Sequence, residues 1–431
     1  MKTLALWLLA ASAAHGQWKA GVAKADITPR EPIWMSGFAS RTKPSEGVRQ
    51  KLWVKALAIE DGAGRTSVIV TADIIGWTRE MAESVASRGG VPRERLVLSA
   101  SHTHSGPVGG QLGRPGYVLE EKYAAAVRRY LPFLLDATVD TIGRAVRGMT
   151  PATLHWGQGL AGIAVNRRRA VHRAWPGPVD QDVPVLAVKS PAGELRAVVA
   201  GYACHATVLN DYQIGGDWPG CFKEVYEQWH PGAEALFVAG CGADANALPR
   251  GTPEHARRYG EILAAAVDQV TRGRMPALTG PIYAAWGTVD LPFAVRTRAQ
   301  IEAELQSRTP AYRINAARLL ETLDRGGKLP AAYPYPVQVW NFGGRLIWIV
   351  LSSEVVSDYA LRLKARHGWT TTWVSAYAND YCGYIPSLRV LKEGGYEGGE
   401  ALAAQGHPGP WGERVEELVA SKVEELVKRA R

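Results

Sequence analysis

The sequence has few cysteines, few phenylalanines and no long hydrophobic segment. Its 431 residues include four cysteines and six phenylalanines. No stretch approaches the roughly 20 apolar residues that a membrane-spanning helix needs. No two cysteines have CxxC spacing, which argues against a thiolate zinc site. Disulfide bonds remain open at this point, because the spacing neither shows a bond nor selects a pairing among Cys204, Cys221, Cys241 and Cys382.

The sequence also lacks internal repeats, low-complexity stretches and a strongly charged tail. Hydrophobic residues make up 46% and charged residues 21%, which is an ordinary globular balance. The net charge of +9 is modest and spread along the chain. It favours transient contact with anionic surfaces such as lipid head groups. The densest basic cluster, Asn166–Arg173, is short and has no nucleic-acid motif around it, so we predict neither nucleic-acid binding nor an obligate protein partner.

The N-terminus has the pattern of a secretory signal peptide. A positive start at Lys2 is followed by a short apolar run and by small residues before Gln17. The alternative is a buried N-terminal helix. We predict that residues 1–16 are removed, that residues 17–431 form the catalytic domain, and that the mature protein is secreted or periplasmic.

Apolar strands alternate with amphipathic helices along the chain, which predicts an α/β fold. The clearest unit is a strand from Thr66, a helix over 78–88 and a second strand from Arg95, a parallel βαβ unit. Further strands are predicted at Leu195–Cys204, Glu234–Val238, Arg345–Leu351 and Thr371–Ala376. The predicted fold has mixed, largely parallel sheets flanked by helices, with the active site at the carboxyl ends of strands.

Two further helices have clear signals. Thr252, Pro253 and Glu254 resemble an N-cap, a first-turn proline and a first-turn acid, and Gly273 is a stop signal. Apolar residues at helical spacing from Trp411 to Val427 predict a C-terminal helix that packs on the core. The aromatic stretch Tyr333–Trp340 predicts an edge strand with turn prolines, or alternatively the wall of an acyl-chain groove.

Polar residues follow five of the predicted strands. The first strand end has His102 and His104, the second has His205, and the fourth has Glu354. The third and fifth strand ends are the segments 241–246 and 377–384. Neutral imidazole and carboxylate oxygen are normal zinc ligands, and a catalytic zinc site needs about three protein ligands and an open position. The pattern therefore indicates a metal site at one edge of the sheet.

A family resemblance accompanies these residues. The segments VAKADITPR, MSGFASRT, SHTHSGP, NRR, ACHATVLN, GGDWPG, SSE and YANDYCGYIP resemble, in order, blocks of the neutral, non-lysosomal ceramidases. The segment SHTHSGP is the most specific of them, and the resemblance spans most of the mature chain. It implies hydrolysis of an amide bond in ceramide or a related N-acyl lipid.

The resemblance also implies roles for individual residues. One zinc ion per chain would be bound by His102, His205, Glu354 and Tyr384, with Tyr381 as the alternative tyrosine. His104 and Arg167 would face the substrate. Residues expected to support these groups are Asp73, Asp217, Asp244, Asn246 and Tyr381. Asp73 and Asp217 would orient a ligating imidazole, or else serve as a strand-end cap or turn bond.

Two departures from the family affect the expected chemistry. Asn246 stands where the family has a serine that has been proposed to act in catalysis, so we expect attack by a zinc-activated water rather than by a serine. The resemblance also stops before the family's C-terminal immunoglobulin-like domain, so we expect a short form. The alternatives are a zinc esterase or amidase with a non-sphingolipid substrate, and a non-catalytic secreted binding protein.

Overall fold

The computed structural model of the protein describes residues 18–168 and 177–431. The predicted signal peptide, residues 1–16, lies outside these ranges, as does part of the basic cluster Asn166–Arg173. Within these ranges, no helix combines the length and the apolar character needed to cross a membrane. All four cysteines are described and none of them is in a disulfide bond.

Eighteen strands are described. They are β1 Trp18–Asp26, β2 Gly47–Val48, β3 Trp53–Glu60, β4 Thr66–Ala72, β5 Leu96–Ala100, β6 Thr150–Leu160, β7 Ala164–Asn166, β8 Asp182–Lys189, β9 Leu195–Tyr202, β10 Gln213–Ile214, β11 Glu234–Ala239, β12 Ala245–Ala247, β13 Ile282–Pro292, β14 Ala332–Phe342, β15 Leu346–Leu351, β16 Glu354–Val355, β17 Thr372–Ser375 and β18 Tyr384–Ile385. The α-helices are Arg79–Gly89, Glu121–Arg147, Asp217–Trp229, Pro253–Arg272, Arg298–Ala303, Pro310–Asp324, Ser357–His367, Leu388–Glu393, Gly395–Gly398 and Val415–Arg429.

The strands form two large mixed sheets, which confirms the α/β class. The order of the first sheet is β11-β9-β8-β6-β1-β3-β4-β5, and that of the second is β13-β14-β15-β17. Most neighbouring pairs are antiparallel, so the expectation of largely parallel sheets is wrong. The physical reason is that several strands are joined by short connections, such as the one between β8 and β9, and these can only link antiparallel neighbours.

Within the two large sheets the parallel pairs are few, and each is joined by a helical crossover. They are β4 with β5, β9 with β11, and β15 with β17. The helices that connect them are Arg79–Gly89, Asp217–Trp229 and Ser357–His367. Carboxyl ends of parallel strands form ligand sites in such sheets. The three crossovers therefore account for the position of the predicted site residues.

The segment that leaves β17 connects the two sheets. The amide of Ala376 donates to the carbonyl of Ala239 at the end of β11. On the other side, Ala100 of β5 donates to the carbonyl of Tyr377, and the amide of Asn379 donates to the carbonyl of Leu98. These hydrogen bonds hold the carboxyl ends of β5, β11 and β17 together.

A tryptophan cluster fills the core between the two sheets. Trp348 stacks on Trp373 at a ring distance of 4.5 Å, and Trp340 packs edge-on against Trp348 at 5.5 Å. The core includes apolar residues of both sheets, such as Val97 and Val199. Trp348 donates its indole N–H to Ser375 Oγ, so the ring is buried without an unsatisfied donor.

Two expectations about the second half of the chain are corrected. β14 contains the stretch Tyr333–Trp340 but lies between β13 and β15, so it is not an edge strand. Its two prolines are tolerated because the pairing with β15 begins only at Val337. The C-terminal helix begins at Val415, so Trp411 packs on the core from outside the helix.

The helix Pro253–Arg272 begins as the sequence indicates, with Thr252 Oγ1 accepting from the His255 amide at 3.3 Å. Replacing Thr252 by alanine should lower the free energy of unfolding by about 1 kcal/mol, because one amide of the first turn loses its partner. Urea unfolding measures this. Thr252→Ser keeps the cap and should match the wild type, and equal losses in both variants would contradict a capping role.

Candidate metal centre

Four side chains predicted as ligands come together at the carboxyl ends of the strands. His102 follows β5, and His205 follows β9. Glu354 and Tyr384 stand opposite each other in the short parallel pair of β16 and β18. All four are buried. Parallel pairing explains how residues 30 positions apart in the chain become neighbours.

The donor atoms of these residues lie close to one another. Glu354 Oε2 is 3.1 Å from His205 Nε2 and 3.3 Å from His102 Nε2. Tyr384 Oη is 3.4 Å from His205 Nε2. We call His102, His104, His205, Glu354 and Tyr384 the polar cluster.

In His102 and in His205, a backbone carbonyl determines which ring nitrogen is protonated. His102 Nδ1 lies 2.6 Å from the carbonyl oxygen of Ile75, and His205 Nδ1 lies 2.9 Å from that of Gly242. A carbonyl only accepts, so both Nδ1 atoms must be protonated. In the neutral rings both Nε2 atoms then have lone pairs directed at the carboxylate of Glu354. Three acceptors facing one another need a cation between them, and this fits a metal ion.

His104 is the third imidazole of the polar cluster. Its Nε2 is 3.2 Å from His102 Nε2, and its Nδ1 is buried without a hydrogen-bond partner in the described residues. His102, His104 and His205 together offer nitrogens within 4.8 Å of one another, close enough to hold one metal ion. The family resemblance places His104 on the substrate side, and the structure also brings its nitrogens into this group.

The pKa values of the cluster favour the protonation states of a metal site. Burial lowers the pKa of His205 to about 4, and the charge of Arg167 adds to this effect. Burial likewise lowers the pKa of His104 well below its usual value. Burial alone would raise the pKa of Glu354, but the neighbouring imidazoles hold it well below its usual range. Neutral His104 and His205 beside an ionised carboxylate match the chemistry of zinc and related ions.

The two candidate tyrosines contact different atoms of the cluster. Tyr381 Oη donates to Glu354 Oε1 at 2.7 Å. Tyr384 Oη accepts from Arg167 at 2.8 Å and faces His205. Tyr381 is therefore placed to orient the carboxylate, whereas Tyr384 has an oxygen on the side of the imidazoles.

Arg167 is held in place by a carboxylate. Its Nε donates to Glu397 Oε1 at 2.7 Å, and the other oxygen of Glu397 accepts from Arg168 at 2.6 Å. Burial opposes the charge of Arg167, but Tyr384 and Glu397 raise its pKa above the usual value. The guanidinium thus stays charged next to the polar cluster.

Asp73 and Asp217 do not orient the imidazoles, which corrects one of the two expectations for them. Nδ1 of His102 and Nδ1 of His205 donate to backbone carbonyls instead. Asp73 instead forms an ion pair with Lys223 at 2.6 Å. Asp217 accepts from the amides of Leu209 and Trp218, which is the turn bond considered as the alternative. Burial raises the pKa of Asp217 to about 6.

Asp244 and Asn246 belong to the segment that pairs with β7, directly before Arg167. Asp244 Oδ1 accepts from the amide and hydroxyl of Ser357, each at 2.8 Å, and its Oδ2 accepts from Asn166 at 3.0 Å. It therefore ties this segment to the helix Ser357–His367. Asn246 Oδ1 faces Arg167 at 3.5 Å.

Unusual backbone conformations concentrate at this site. The non-glycine residues with positive φ in the described ranges are His102, Asp217, Ser353, Tyr377 and Asn379. Such conformations cost free energy and persist where the surrounding structure enforces them, commonly at functional sites. Among them, His102 is a predicted ligand and Ser353 directly precedes Glu354.

Three residues near the site were not singled out by the sequence. Glu397 holds Arg167, Arg41 donates to the carbonyl of His104 at 2.7 Å, and Tyr377 packs its ring 4.4 Å from that of His102. The hydroxyl of Tyr377 is buried without a partner in the described residues. Arg41 and Tyr377 belong to segments that carry the family resemblance, but the resemblance gave neither of them a role.

The buried imidazoles and carboxylate at the carboxyl ends of the strands form a candidate metal site on an α/β scaffold. The chain belongs to a family described as neutral/alkaline non-lysosomal ceramidase, whose N-terminal sequence model matches residues 18–255. The matched range contains His102, His104, Arg167, His205 and Asn246. Glu354 and Tyr384 lie beyond it.

Individual relatives are similar over part of their length. Neutral ceramidase of Pseudomonas aeruginosa is 29% identical over 215 residues, which are 45% of this chain and 31% of that protein. Neutral ceramidase A of Dictyostelium discoideum is 23% identical over 242 residues, or 50% of this chain and 33% of that protein. The matched region is thus about a third of these relatives.

Solved structures show the same fold across nearly the whole chain. The crystal structure of neutral ceramidase from Pseudomonas aeruginosa matches with a TM-score of 0.75 and 20% identity, covering 96% of this chain and 74% of that one. A structure described as ceramidase complexed with C2 matches with a TM-score of 0.74 and 19% identity, covering 95% and 76%.

Proposed function

We propose that this chain is an exported, zinc-dependent hydrolase that cleaves the amide bond of ceramide or a related N-acyl lipid. The observation behind the proposal is that Nε2 of His102 and Nε2 of His205 each lie within 3.3 Å of the same carboxylate oxygen of Glu354, an arrangement suited to a cation. Membership of the ceramidase family supports the substrate class. Export rests on the signal-peptide pattern of residues 1–16.

One zinc ion would be held by His102, His205, Glu354 and Tyr384. When bound, such an ion supplies a water ionised near neutral pH and polarises the substrate carbonyl. The cluster is buried, so the surrounding water is largely excluded and charge interactions there are strengthened.

The chain's own residues then bind the substrate and move protons. Arg167, fixed by Glu397, provides positive charge beside the carbonyl oxygen of the amide. His104 is neutral because burial lowers its pKa, which leaves one ring nitrogen with a lone pair. In this proposal that nitrogen takes a proton from the attacking water and passes it to the leaving nitrogen. The carbon–nitrogen bond breaks, and a fatty acid and an amine are released. Asn246 cannot act as an alkoxide, so water is the nucleophile.

Fatty-acid release from a panel of N-acyl lipids and small acyl esters tests the proposal. The purified protein should contain one zinc ion per chain, hydrolyse ceramide or another N-acyl lipid, and lose both zinc and activity in His102→Ala. Turnover of esters alone would favour a zinc esterase. A protein without zinc and without turnover would favour the secreted binding protein.

Metal removal should abolish turnover reversibly. Dialysis against a chelator is expected to lower activity at least about a hundredfold, because the ionised water is lost. It should also lower the melting temperature, since ion binding to the folded state contributes to stability. Activity and melting temperature should return on adding one equivalent of zinc.

A matched sample dialysed without chelator is the control for this experiment. Full activity after chelation, with zinc absent by elemental analysis, would contradict the proposed role of the metal. Recovery with magnesium but not with zinc would contradict the identity of the ion.

A further inference from the structure

Asn246 is held rigidly at the edge of the polar cluster. The amide of His205 donates to the carbonyl of the preceding residue, Ala245, at 3.0 Å. β12 pairs with β7, so that Asn246 stands opposite Val165. Only 6% of the residue is exposed. The backbone on both sides therefore restricts where the carboxamide can point.

Two neighbours determine which end of the carboxamide is the oxygen. Arg167 lies 3.5 Å and Thr207 Oγ1 lies 3.3 Å from the same atom of Asn246. A guanidinium has only donors, so the atom that faces it must be the acceptor Oδ1. The donor Nδ2 is then at the opposite end of the amide group, away from both Arg167 and Thr207.

The Nδ2 donor of Asn246 is unused by the part of the chain that the structure describes. No described residue accepts a hydrogen bond from Nδ2. Nδ2 is also not among the unpartnered atoms that the protein encloses completely. Buried carboxamides normally satisfy their donors. The carboxamide lies beside the polar cluster, because Asn246 forms a backbone bridge with His205 and the guanidinium of Arg167 contacts both Asn246 Oδ1 and Tyr384 Oη.

We propose that Asn246 Nδ2 donates a hydrogen bond to the carbonyl oxygen of the scissile amide and stabilises the negative charge that develops there. This inference rests on the proposed function. A neutral donor fixed in advance needs no reorganisation as the charge appears, and such groups give large rate effects. Arg167 has two tasks in this arrangement, because it also orients the carboxamide through Oδ1.

The step balances with water as the only co-reactant. Water oxygen adds to the acyl carbon, and the electron pair of the carbonyl moves to the oxygen that Nδ2 faces. The carbonyl then re-forms as the carbon–nitrogen bond breaks, and the proton from water leaves with the amine. No acyl-enzyme forms, since Asn246 has no nucleophilic oxygen.

Kinetics of Asn246 variants test the inference with the zinc-loaded, full-length mature protein. Asn246→Ala should lower kcat for the N-acyl lipid by about 10²–10³-fold, the range measured for loss of one such donor, with KM changed less than about threefold. Asn246→Asp, which has nearly the same shape, should lose at least as much because it replaces the donor by an anion. A tetrahedral phosphonate analogue should bind more weakly by the same factor as kcat/KM falls.

Gln269→Glu makes the same chemical change at an exposed helix position and is the matched control. A kcat of Asn246→Ala within threefold of wild type would overturn the inference, as would a raised KM with unchanged kcat. If both Asn246 variants lost zinc or failed to fold, the residue would have a structural role, and the inference would be overturned as well. If wild type is active and the variants are too, only this inference fails; if wild type cleaves no N-acyl lipid, the proposed function fails with it.

Discussion

Replacing Glu354 by glutamine should abolish both zinc binding and hydrolysis. Glutamine keeps the shape of the side chain but removes the negative charge that faces His102 and His205. We expect zinc to fall well below one ion per chain and kcat/KM to fall on the order of a thousandfold or more, equivalent to about 4 kcal/mol of transition-state stabilisation. Elemental analysis and fatty-acid release measure the two effects.

The control for this variant is Glu321→Gln, which makes the same change at an exposed helix position. It should leave zinc content and turnover unchanged. One zinc ion per chain in Glu354→Gln, together with activity within tenfold of wild type, would show that the carboxylate is not a ligand.

Replacing Lys364 by methionine should strongly destabilise the fold. Lys364 is 1% exposed in its side chain, and its ammonium contacts Asp180 at 2.6 Å and Asp182 at 2.7 Å. Methionine leaves two carboxylates without their cation, one of them buried. Breaking a buried ion pair in this way typically costs about 3–5 kcal/mol, which urea unfolding at neutral pH would measure.

The pH dependence of this loss gives a second test. Burial already raises the pKa of Asp180 above its usual value, and removing the ammonium should raise it further. Because the folded state then takes up a proton at a higher pH than the unfolded state, the deficit of Lys364→Met should shrink as the pH is lowered. Lys428→Met, at an exposed position, should cost less than about 0.5 kcal/mol. A deficit of Lys364→Met below 1 kcal/mol would contradict the argument.

That the predicted ligands lie close together could be predicted from the sequence, because their positions at strand ends follow from local patterns. Buried strands appear as apolar runs, and a polar residue directly after such a run lies at the strand's carboxyl end. That rule was enough to expect His102, His205 and Glu354 near one another, and the structure brings them within contact. It worked because these strands belong to the parallel pairs, where helical crossovers align the ends.

The remaining features depend on contacts between distant segments, which a single sequence does not encode locally. The antiparallel pairing of β1 with β6, for example, joins segments far apart in the chain and follows from neither strand alone. Asp73 binds Lys223 rather than an imidazole because the folded chain brings the helix Asp217–Trp229 next to the residue that follows β4. Similarly, the carbonyls of Ile75 and Gly242 that orient the imidazoles have no side-chain signature.

The segment Ser375–Asn379 has a consequence for solubility. β5 and β11 are the outermost strands of the eight-stranded sheet, and their ends are both hydrogen-bonded by this one segment. Outermost strands with unpaired backbone groups are templates for intermolecular pairing. A folding intermediate in which Ser375–Asn379 has not yet docked would expose both. Substitutions there are therefore expected to reduce recovery of soluble protein through self-association even when the finished fold is little affected.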